Sequence, residues 1–353
     1  MACRTGYSLL RDINAVLADH DRKLLAIPGV VGVCVGLTAD GASTCLKVML
    51  AREDRILQNQ FPRTLEGYPV VTEVTGEIRP LRSLPDKFLA AMIAVLPLPG
   101  APRYRGDDER ILAQALSDLD HYQEVGVDAI VLENSHDLPY IKPPLPEAAV
   151  ELIKRVAREV RSRFSRPIGI QMLEAANETA LEIACACDLD FVRVESYVFA
   201  HVGGAGLIEG CAGQLHRKRQ ALGCGHIRIF ADVKKKHCSH ALTGDLDITD
   251  EVKQAEFFLV DGVIVTGART TEPPNKTELS RVKAHARVPV LIGSGLTPDN
   301  IKAYLPLADG FIVGSTFREG GQFLGALERK RLDKFMRAFS SVRRSVRSAG
   351  ARS

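Results

Sequence analysis

The spacing of apolar residues divides the chain into regions with different periodicities. Residues 7–25 carry apolar side chains every three or four positions, which predicts a helix. Two strands joined by a turn, a short helix and a further strand are then predicted at residues 30–37, 43–50, 53–60 and 68–78. We therefore expect residues 1–84 to form a small α+β accessory domain that serves packing or dimerisation.

From Phe88 onward, short apolar segments alternate with amphipathic helical segments. The predicted strands are residues 88–96, 127–133, 167–173, 189–195, 226–233, 262–266, 288–293 and 310–314. They are almost continuously apolar, as strands buried on both faces should be. Alternation of this kind is typical of a closed barrel or of a doubly wound open sheet. Eight units favour the barrel, so we expect a (β/α)8 TIM barrel, an α/β fold, over residues 85–325.

Residues 326–353 are predicted to form a basic helix that ends the chain. Its many Arg and Lys side chains favour a solvated helical tail. A weak contact with an anionic partner is the alternative.

Composition narrows the class of protein. The 353 residues are 46% apolar and 25% charged, with a net charge of +3, which does not favour nucleic acid as the main partner. The apolar runs are too short to span a membrane, and Asp12 and Asp19 are unlike a transit peptide, so a cytoplasmic location is expected. The eight cysteines contain no CxxC pair; we expect mostly buried thiols and no disulfide framework.

Two glycine-rich segments follow the last two predicted strands. Gly293, Ser294 and Gly295 follow the seventh strand, and Gly314 and Ser315 follow the eighth. Glycine lets the backbone approach an anion closely, and TIM barrels commonly hold a phosphate at these two loops. The sequence therefore predicts a phosphate-binding pocket.

The end of the fifth strand carries candidate catalytic residues. Alternation along the strand would place Asp232 and Lys234 on the same, interior face, where they could transfer protons. A structural ion pair is the alternative, and Lys234 as a Schiff-base nucleophile is a narrower variant. His237 and His240 could join Asp232 in a metal site, but no other ligand cluster completes it, so no metal is expected.

Other polar residues are predicted at the mouth of the barrel. Glu133 is a third candidate catalytic residue, and the remaining candidates for substrate binding are Asn134, Gln171, Arg193, Glu195, Thr266 and Gly267. Charges inside a barrel are either paired or functional, so Arg193 and Glu195 could instead belong to a buried network. The loops 196–210 and 269–277 are candidate lids.

Taken together, these segments resemble the BtpA family over about residues 88–322. The resemblance is carried by residues 97–102 (PLPGAP), 133–134, 191–195, 206–210 (GLIEG), 230–240, 263–267 and 293–300. It implies a ribulose-phosphate-type barrel with a ligand pocket at Glu133, Asn134, Asp232, Lys234, Thr266, Gly293, Ser294, Gly295 and Gly314. Residues 94–96 lack a histidine that many members carry, and residues 174–177 also differ. The N-terminal region lies outside the resemblance.

Two functions remain open at this point. The first is an enzyme that acts on a small phosphorylated metabolite, a sugar phosphate or a nucleotide, with no organic cofactor indicated. The second is a non-catalytic assembly or stability factor, since the family includes a photosystem I biogenesis factor. Neither the reaction nor the oligomeric state follows from the sequence, and a homo-oligomer stays open.

Overall fold

The computed structural model describes residues 10–76 and 82–350, and the chain divides into two compact units, Met1–Leu81 and Arg82–Ser353. The N-terminal unit contains helices α1 and α2 and strands β1 to β4. Their bounds are α1 Ile13–Leu25, β1 Val30–Leu37, β2 Thr44–Leu50, α2 Arg55–Gln58, β3 Thr64–Leu65 and β4 Tyr68–Val74.

The N-terminal unit is an α+β domain with one mixed sheet. Strand β1 pairs antiparallel with β2, β2 parallel with β4, and β4 antiparallel with β3. The small core contains Leu24, Val48, Leu50 and Leu57. The two-residue strand β3 was missed by the sequence patterns. The predicted start of the first helix (7–9) and end of the last strand (77–78) lie outside the described residues.

The second unit is built on a closed barrel of eight parallel strands, as predicted. The strands are β5 Phe88–Ala94, β6 Ala129–Glu133, β7 Ile168–Gln171, β8 Phe191–Val194, β11 Arg228–Val233, β12 Gly262–Val265, β13 Val290–Ile292 and β14 Gly310–Val313. Strand β8 pairs with β11 and β14 with β5, so the sheet closes on itself. Each predicted strand end lies within two residues of the observed one.

Helices surround the barrel, and a short hairpin lies after β8. The helices are α3 Asp108–Val125, α4 Glu147–Arg163, α5 Asn177–Ala186, α6 Ala212–Ala221, α7 Ile248–Phe257, α8 Lys276–His285, α9 Ile301–Tyr304 and α10 Arg329–Gly350; the hairpin is β9 His201–Gly203 and β10 Gly206–Ile208. Within the described residues, no helix is long and apolar enough to cross a bilayer.

The strands are apolar throughout because both of their faces are buried. Alternate residues of β5 belong to two different cores: Phe88 and Met92 face the barrel interior, and Leu89 and Ile93 pack against the helices. Interior aromatic rings occupy the space beside glycines of the neighbouring strands. A Cβ atom at Gly310, for example, would lie 2.3 Å from the ring of Phe88.

The C-terminal helix α10 is not the solvated tail that its charge suggested. Leu332, Phe335 and Phe339 are buried and belong to the core between the barrel and its helices. The side chain of Phe335 lies against Phe317, with ring centroids 5.3 Å apart. Lys330, Lys334 and Arg337 are exposed, whereas the apolar residues are buried, so α10 is an integral helix of the barrel unit.

The cysteines also differ from the expectation. Cys185 and Cys224 form a disulfide with their Cα atoms 5.9 Å apart. Of the free cysteines in the described part of the chain, Cys45 and Cys187 are buried, whereas Cys34, Cys211 and Cys238 are partly exposed. The prediction of mostly buried thiols was therefore wrong for Cys34, Cys211 and Cys238.

Truncating the buried face of α10 tests its structural role. Phe335→Ala should lower the free energy of unfolding by about 3–5 kcal/mol, because it removes a fully buried ring and leaves a cavity. Lys334→Ala, on the exposed face, should change it by less than about 0.5 kcal/mol. Urea unfolding of both variants measures this. Equal, small effects would mean that the helix is not packed on the barrel.

Candidate functional site

A cavity of about 410 Å³ opens at the carboxyl ends of the barrel strands. This is the end at which TIM barrels place their active sites. Apolar side chains and polar groups share its wall. The lining residues are Met92, Glu133, Leu138, Tyr140, Gln171, Leu173, Glu174, Arg193, Glu195, Gly204, Lys235, Lys236, His237, Thr270, Gly293, Ser294, Gly295, Leu296, Ile312, Val313, Gly314, Ser315, Thr316 and Phe323.

Lys234 does not line this cavity, contrary to the prediction from strand alternation. Strand β11 ends at Val233, and Lys234 adopts a left-handed backbone conformation with φ 46°. The reversal directs its ammonium group away from the site. Lys234 Nζ donates to the carbonyl oxygen of Thr243 (3.1 Å) and lies 4.0 Å from Glu251 Oε2. The two lysines that follow it reach the cavity instead.

Lys235 is held by two carboxylates of the cavity wall. Its Nζ lies 3.0 Å from Glu195 Oε1 and 3.3 Å from Glu174 Oε1. Burial lowers the pKa of Lys235, but the attraction of these carboxylates outweighs burial and holds the pKa above its ordinary value. Lys235 is therefore a charged, fixed group.

Lys236 is in the opposite electrostatic situation. Burial, together with the nearby Arg193 guanidinium, lowers the pKa of Lys236 to about 8. Among the described residues, no side chain forms a hydrogen bond or an ion pair with its ammonium group, although its backbone N–H donates to Thr266 Oγ1 (3.3 Å). A cavity lysine of this kind can bind an anion or act as a neutral amine near neutral pH.

Asp232 is buried behind the cavity wall, where it binds Arg193. Arg193 Nε donates to one carboxylate oxygen of Asp232 and Nη2 to the other, both at 2.9 Å. Asp232 is not a lining residue. It orients Arg193 and neutralises its charge, so the predicted partnership of Asp232 with Lys234 is replaced by a buried Arg193–Asp232 pair.

The carboxylates and the amide of strands β6 to β8 form the opposite wall. Ser135 Oγ donates to Glu133 Oε1 (2.6 Å), and Gln171 Nε2 donates to Glu195 Oε1 (2.9 Å). Burial raises the pKa of Glu195. Gln171 Oε1 is buried and has no hydrogen-bond partner within the described structure.

Three predicted binding residues do not line the cavity. Asn134 bridges to the backbone of Leu173, accepting from its N–H (2.7 Å) and donating to its carbonyl oxygen (3.1 Å). Thr266 accepts the N–H of Lys236. A Cβ atom at Gly267 would lie 2.3 Å from the carbonyl oxygen of Glu272, so this glycine permits close packing of the loop. Asn134 and Thr266 thus position Leu173 and Lys236, which do line the cavity.

The two glycine-rich loops meet at the cavity, as the sequence predicted. Gly293, Ser294, Gly295, Gly314 and Ser315 all line it. Gly295 has φ 72°, and a Cβ atom there would lie 2.0 Å from Pro273 N. Within the described residues, no acceptor is placed for the backbone N–H groups of Gly295, Leu296, Ser315 and Thr316, which leaves these donors for a ligand.

The candidate lid loops are both tied to the segment after β11. The hairpin β9–β10 pairs with it through Val202 and Ser239, and Ala205 N–H donates to Glu174 Oε2 (2.7 Å). Thr270 N–H donates to His237 Nε2 (3.0 Å). His240 Nε2 lies 2.8 Å from the carbonyl oxygen of Lys235. The described residues contain no cluster of three or more His, Cys, Asp or Glu that could hold a metal ion.

Four polar residues line the cavity that the sequence patterns did not predict there: Tyr140, Glu174, Lys235 and Lys236. The run of three lysines was visible, but strand alternation selected the first of them. A left-handed turn at a lysine carries no recognisable residue signal, since glycine, asparagine or aspartate usually mark such turns. Glu174 and Tyr140 lie in loops, whose side-chain directions have no periodicity to read.

Comparison with known proteins assigns the barrel to a family. The sequence model of the BtpA family matches residues 85–341. The chain belongs to the BtpA family. The matched range extends beyond the eighth strand into α10, in agreement with the packing of that helix on the barrel.

Several BtpA-family relatives cover most of the chain. A mitochondrial protein of Caenorhabditis elegans, itself uncharacterised, is 39% identical over 280 residues, 78% of this chain and 98% of the relative. An uncharacterised protein of Pyrococcus abyssi is 38% identical over 260 residues, 74% of this chain and 98% of the relative. The photosystem I biogenesis protein BtpA of Synechocystis sp. is 31% identical over 252 residues, 70% of this chain and 86% of that protein.

Solved structures resemble the barrel more distantly. Thiamine phosphate pyrophosphorylase from Pyrococcus furiosus has a TM-score of 0.46 and 15% identity, covering 72% of this chain and 96% of that chain. N-(5'-phosphoribosyl)anthranilate isomerase from the same organism has a TM-score of 0.46 and 12% identity. The match covers 72% of this chain and 99% of that chain. Likeness at this level gives no guidance to substrate or reaction.

Removing one member of the buried ion pair tests the structural role of Asp232. Asp232→Asn should destabilise the protein by about 3 kcal/mol, because it removes the carboxylate that is paired with the buried Arg193 guanidinium. Adding Arg193→Met to this variant should restore part of the loss. Urea unfolding of the single and double variants measures the coupling. A single variant as stable as the wild type would contradict the assignment.

Proposed function

We propose that this BtpA-family barrel is an enzyme that acts on a small phosphorylated metabolite, a sugar phosphate or a nucleotide. The observation that carries the proposal is the meeting, in one cavity, of two loops with unpaired backbone N–H donors and a lysine with no carboxylate partner in the described structure. Such donors bind a phosphate without requiring a full counter-charge.

The phosphoryl group is assigned to the loop end of the cavity. Gly295 and Ser315 supply backbone donors there, and Ser294 adds a hydroxyl group whose only described contact is a long one, 3.4 Å, to the carbonyl oxygen of Arg269. Gly314 lets the backbone of this loop lie close to Met92, since a Cβ atom at Gly314 would lie only 3.3 Å from Met92 Cβ. A phosphate that is neutralised by many dipoles can be held at such a wall.

The rest of the metabolite is assigned to the space towards strands β6 to β8. Glu133, Gln171 and Glu195 are hydrogen-bonding groups suited to hydroxyl groups of a ligand. Leu138, Tyr140 and Leu173 supply the apolar part of the wall. A volume of about 410 Å³ lies within the range of small-molecule sites.

The chemical roles follow from the charge states of the lining groups. Glu133 is the candidate acid–base residue, because its carboxylate has only a neutral hydroxyl partner within hydrogen-bonding distance in the described structure. Lys236 takes the role that the sequence had assigned to Lys234. Asp232 acts through Arg193 as a positioning residue.

A thermal-shift screen tests whether the pocket recognises a phosphoryl group. We expect inorganic phosphate or a sugar phosphate to stabilise the wild type by about 2.7 kcal/mol at a hundred times its dissociation constant. Ser315→Asp places a negative charge in the phosphate loop and should abolish the shift. Ser280→Asp adds the same charge on the exposed face of α8 and should leave the shift unchanged.

The same screen with analogues that lack the phosphoryl group shows whether stabilisation depends on that group. Stabilisation that requires the phosphoryl group and is lost only in Ser315→Asp supports the proposal. Equal stabilisation by phosphate-free analogues, or equal loss in both variants, would contradict it.

A further inference from the structure

Three consecutive lysines at the end of β11 occupy three different environments. Lys234 is bound by Thr243 and lies beside Glu251, outside the cavity. Lys235 forms ion pairs with Glu174 and Glu195. Lys236 reaches the same cavity and has no ion pair in the described structure. Of these three lysines, only Lys236 has an amine without an ion pair in the described structure, and its two neighbours serve as internal controls.

The groups around Lys236 disfavour its protonated form. Its amine is largely buried, and the guanidinium of Arg193 and the ammonium of Lys235 lie close enough to oppose a further positive charge. The carboxylates of Glu133 and Asp232 act in the other direction but do not outweigh burial. Both carboxylates have other partners, Ser135 and Arg193. A desolvated lysine beside other cations is the environment that activates amine nucleophiles.

The fraction of neutral amine supports a nucleophilic role. With a pKa of about 8, about one-tenth of Lys236 is neutral at pH 7. For a lysine with the ordinary pKa of roughly 10.4, the neutral fraction is roughly two-hundredfold smaller.

We propose that Lys236 Nζ forms an imine with the carbonyl carbon of a phosphorylated aldehyde or ketone bound in this cavity. The inference rests on the proposed function and narrows its substrate class to phosphorylated carbonyl compounds. Glu133, which lines the same cavity, is the proton carrier.

The bond changes balance without an oxidant or a reductant. The neutral amine adds to the carbonyl carbon, a C–N bond forms, and the proton lost by nitrogen passes to the former carbonyl oxygen, giving a carbinolamine. The nitrogen lone pair then forms the C=N bond while the C–O bond breaks, and the hydroxyl group leaves with one added proton as water. Glu133 passes the first proton from nitrogen to oxygen. It then takes up a second proton from solvent and donates it to complete the water, so that the cationic iminium forms beside the Glu133 carboxylate.

Reductive trapping tests the proposal with pyridoxal 5'-phosphate, an aldehyde that carries a phosphate, as the probe. The full chain is incubated with the probe at neutral pH, reduced with borohydride and mapped by peptide mass spectrometry. We expect Lys236 to be the main modified residue. Pyridoxal, which lacks the phosphate, should label it at least tenfold more slowly, and inorganic phosphate should compete with the probe.

Two matched variants separate Lys236 from its neighbours. Lys236→Arg keeps a cation but cannot form an imine, so the label in residues 234–236 should disappear. Lys234→Arg changes a lysine outside the cavity and should be labelled like the wild type. Thermal shifts with inorganic phosphate are recorded for all three proteins to show that they are folded and bind the anion.

The outcomes distinguish this inference from the proposed function. If inorganic phosphate stabilises the protein but Lys236 is not modified, or if the label persists in Lys236→Arg, the imine proposal is wrong and the phosphate pocket stands. If neither inorganic phosphate nor the probe stabilises the protein, the proposed function fails, and the imine proposal fails with it.

Discussion

The buried pair between Arg193 and Asp232 is the interaction on which the candidate site depends. Both side chains lie inside the barrel, just above the ring layer formed by Phe191 and Phe230. A charge at this depth must be neutralised, and two parallel hydrogen bonds provide both charge balance and orientation. Because Asp232 is committed to Arg193, it is not available as a partner for the lysine that reaches the cavity.

Several properties of the cavity follow from that commitment. Arg193 stays charged and close to Lys236, which lowers the pKa of that lysine further than burial alone. Lys235 forms ion pairs with the carboxylates of Glu195 and Glu174, so these two groups do not pair with Lys236. In the described structure, the cavity therefore has a wall of carboxylates and an amide from strands β6 to β8 and their following loops, and a wall of unpaired backbone donors on the loops after β13 and β14. A ligand with a phosphoryl group at one end and polar oxygens at the other suits both walls.

The sequence predicted the barrel and the meeting of the two glycine-rich loops at one cavity, but it selected Lys234 as a cavity lysine, whereas Lys235 and Lys236 line the cavity. Strands buried on both faces are visible as apolar runs, and glycines after the last two strands mark loops that approach a ligand closely. The turn after β11 depends on a positive φ at Lys234, which tertiary contacts with Thr243 and Glu251 stabilise. The presence of a lysine in the sequence does not predict a turn of this kind. The apolar positions Leu332, Phe335 and Phe339 of α10 did carry a readable helical stripe, which the high positive charge obscured.

The most direct test of this account is to label the lysines with carbon-13 at Cε and to follow the chemical shift of each lysine by NMR as the pH is changed. The account predicts one lysine resonance with a midpoint near pH 8 that is absent in Lys236→Met and retained in Lys234→Met. Loss of that resonance in Lys234→Met instead, or the absence of any lysine titrating near pH 8, would contradict the placement of Lys236 in the cavity beside Arg193.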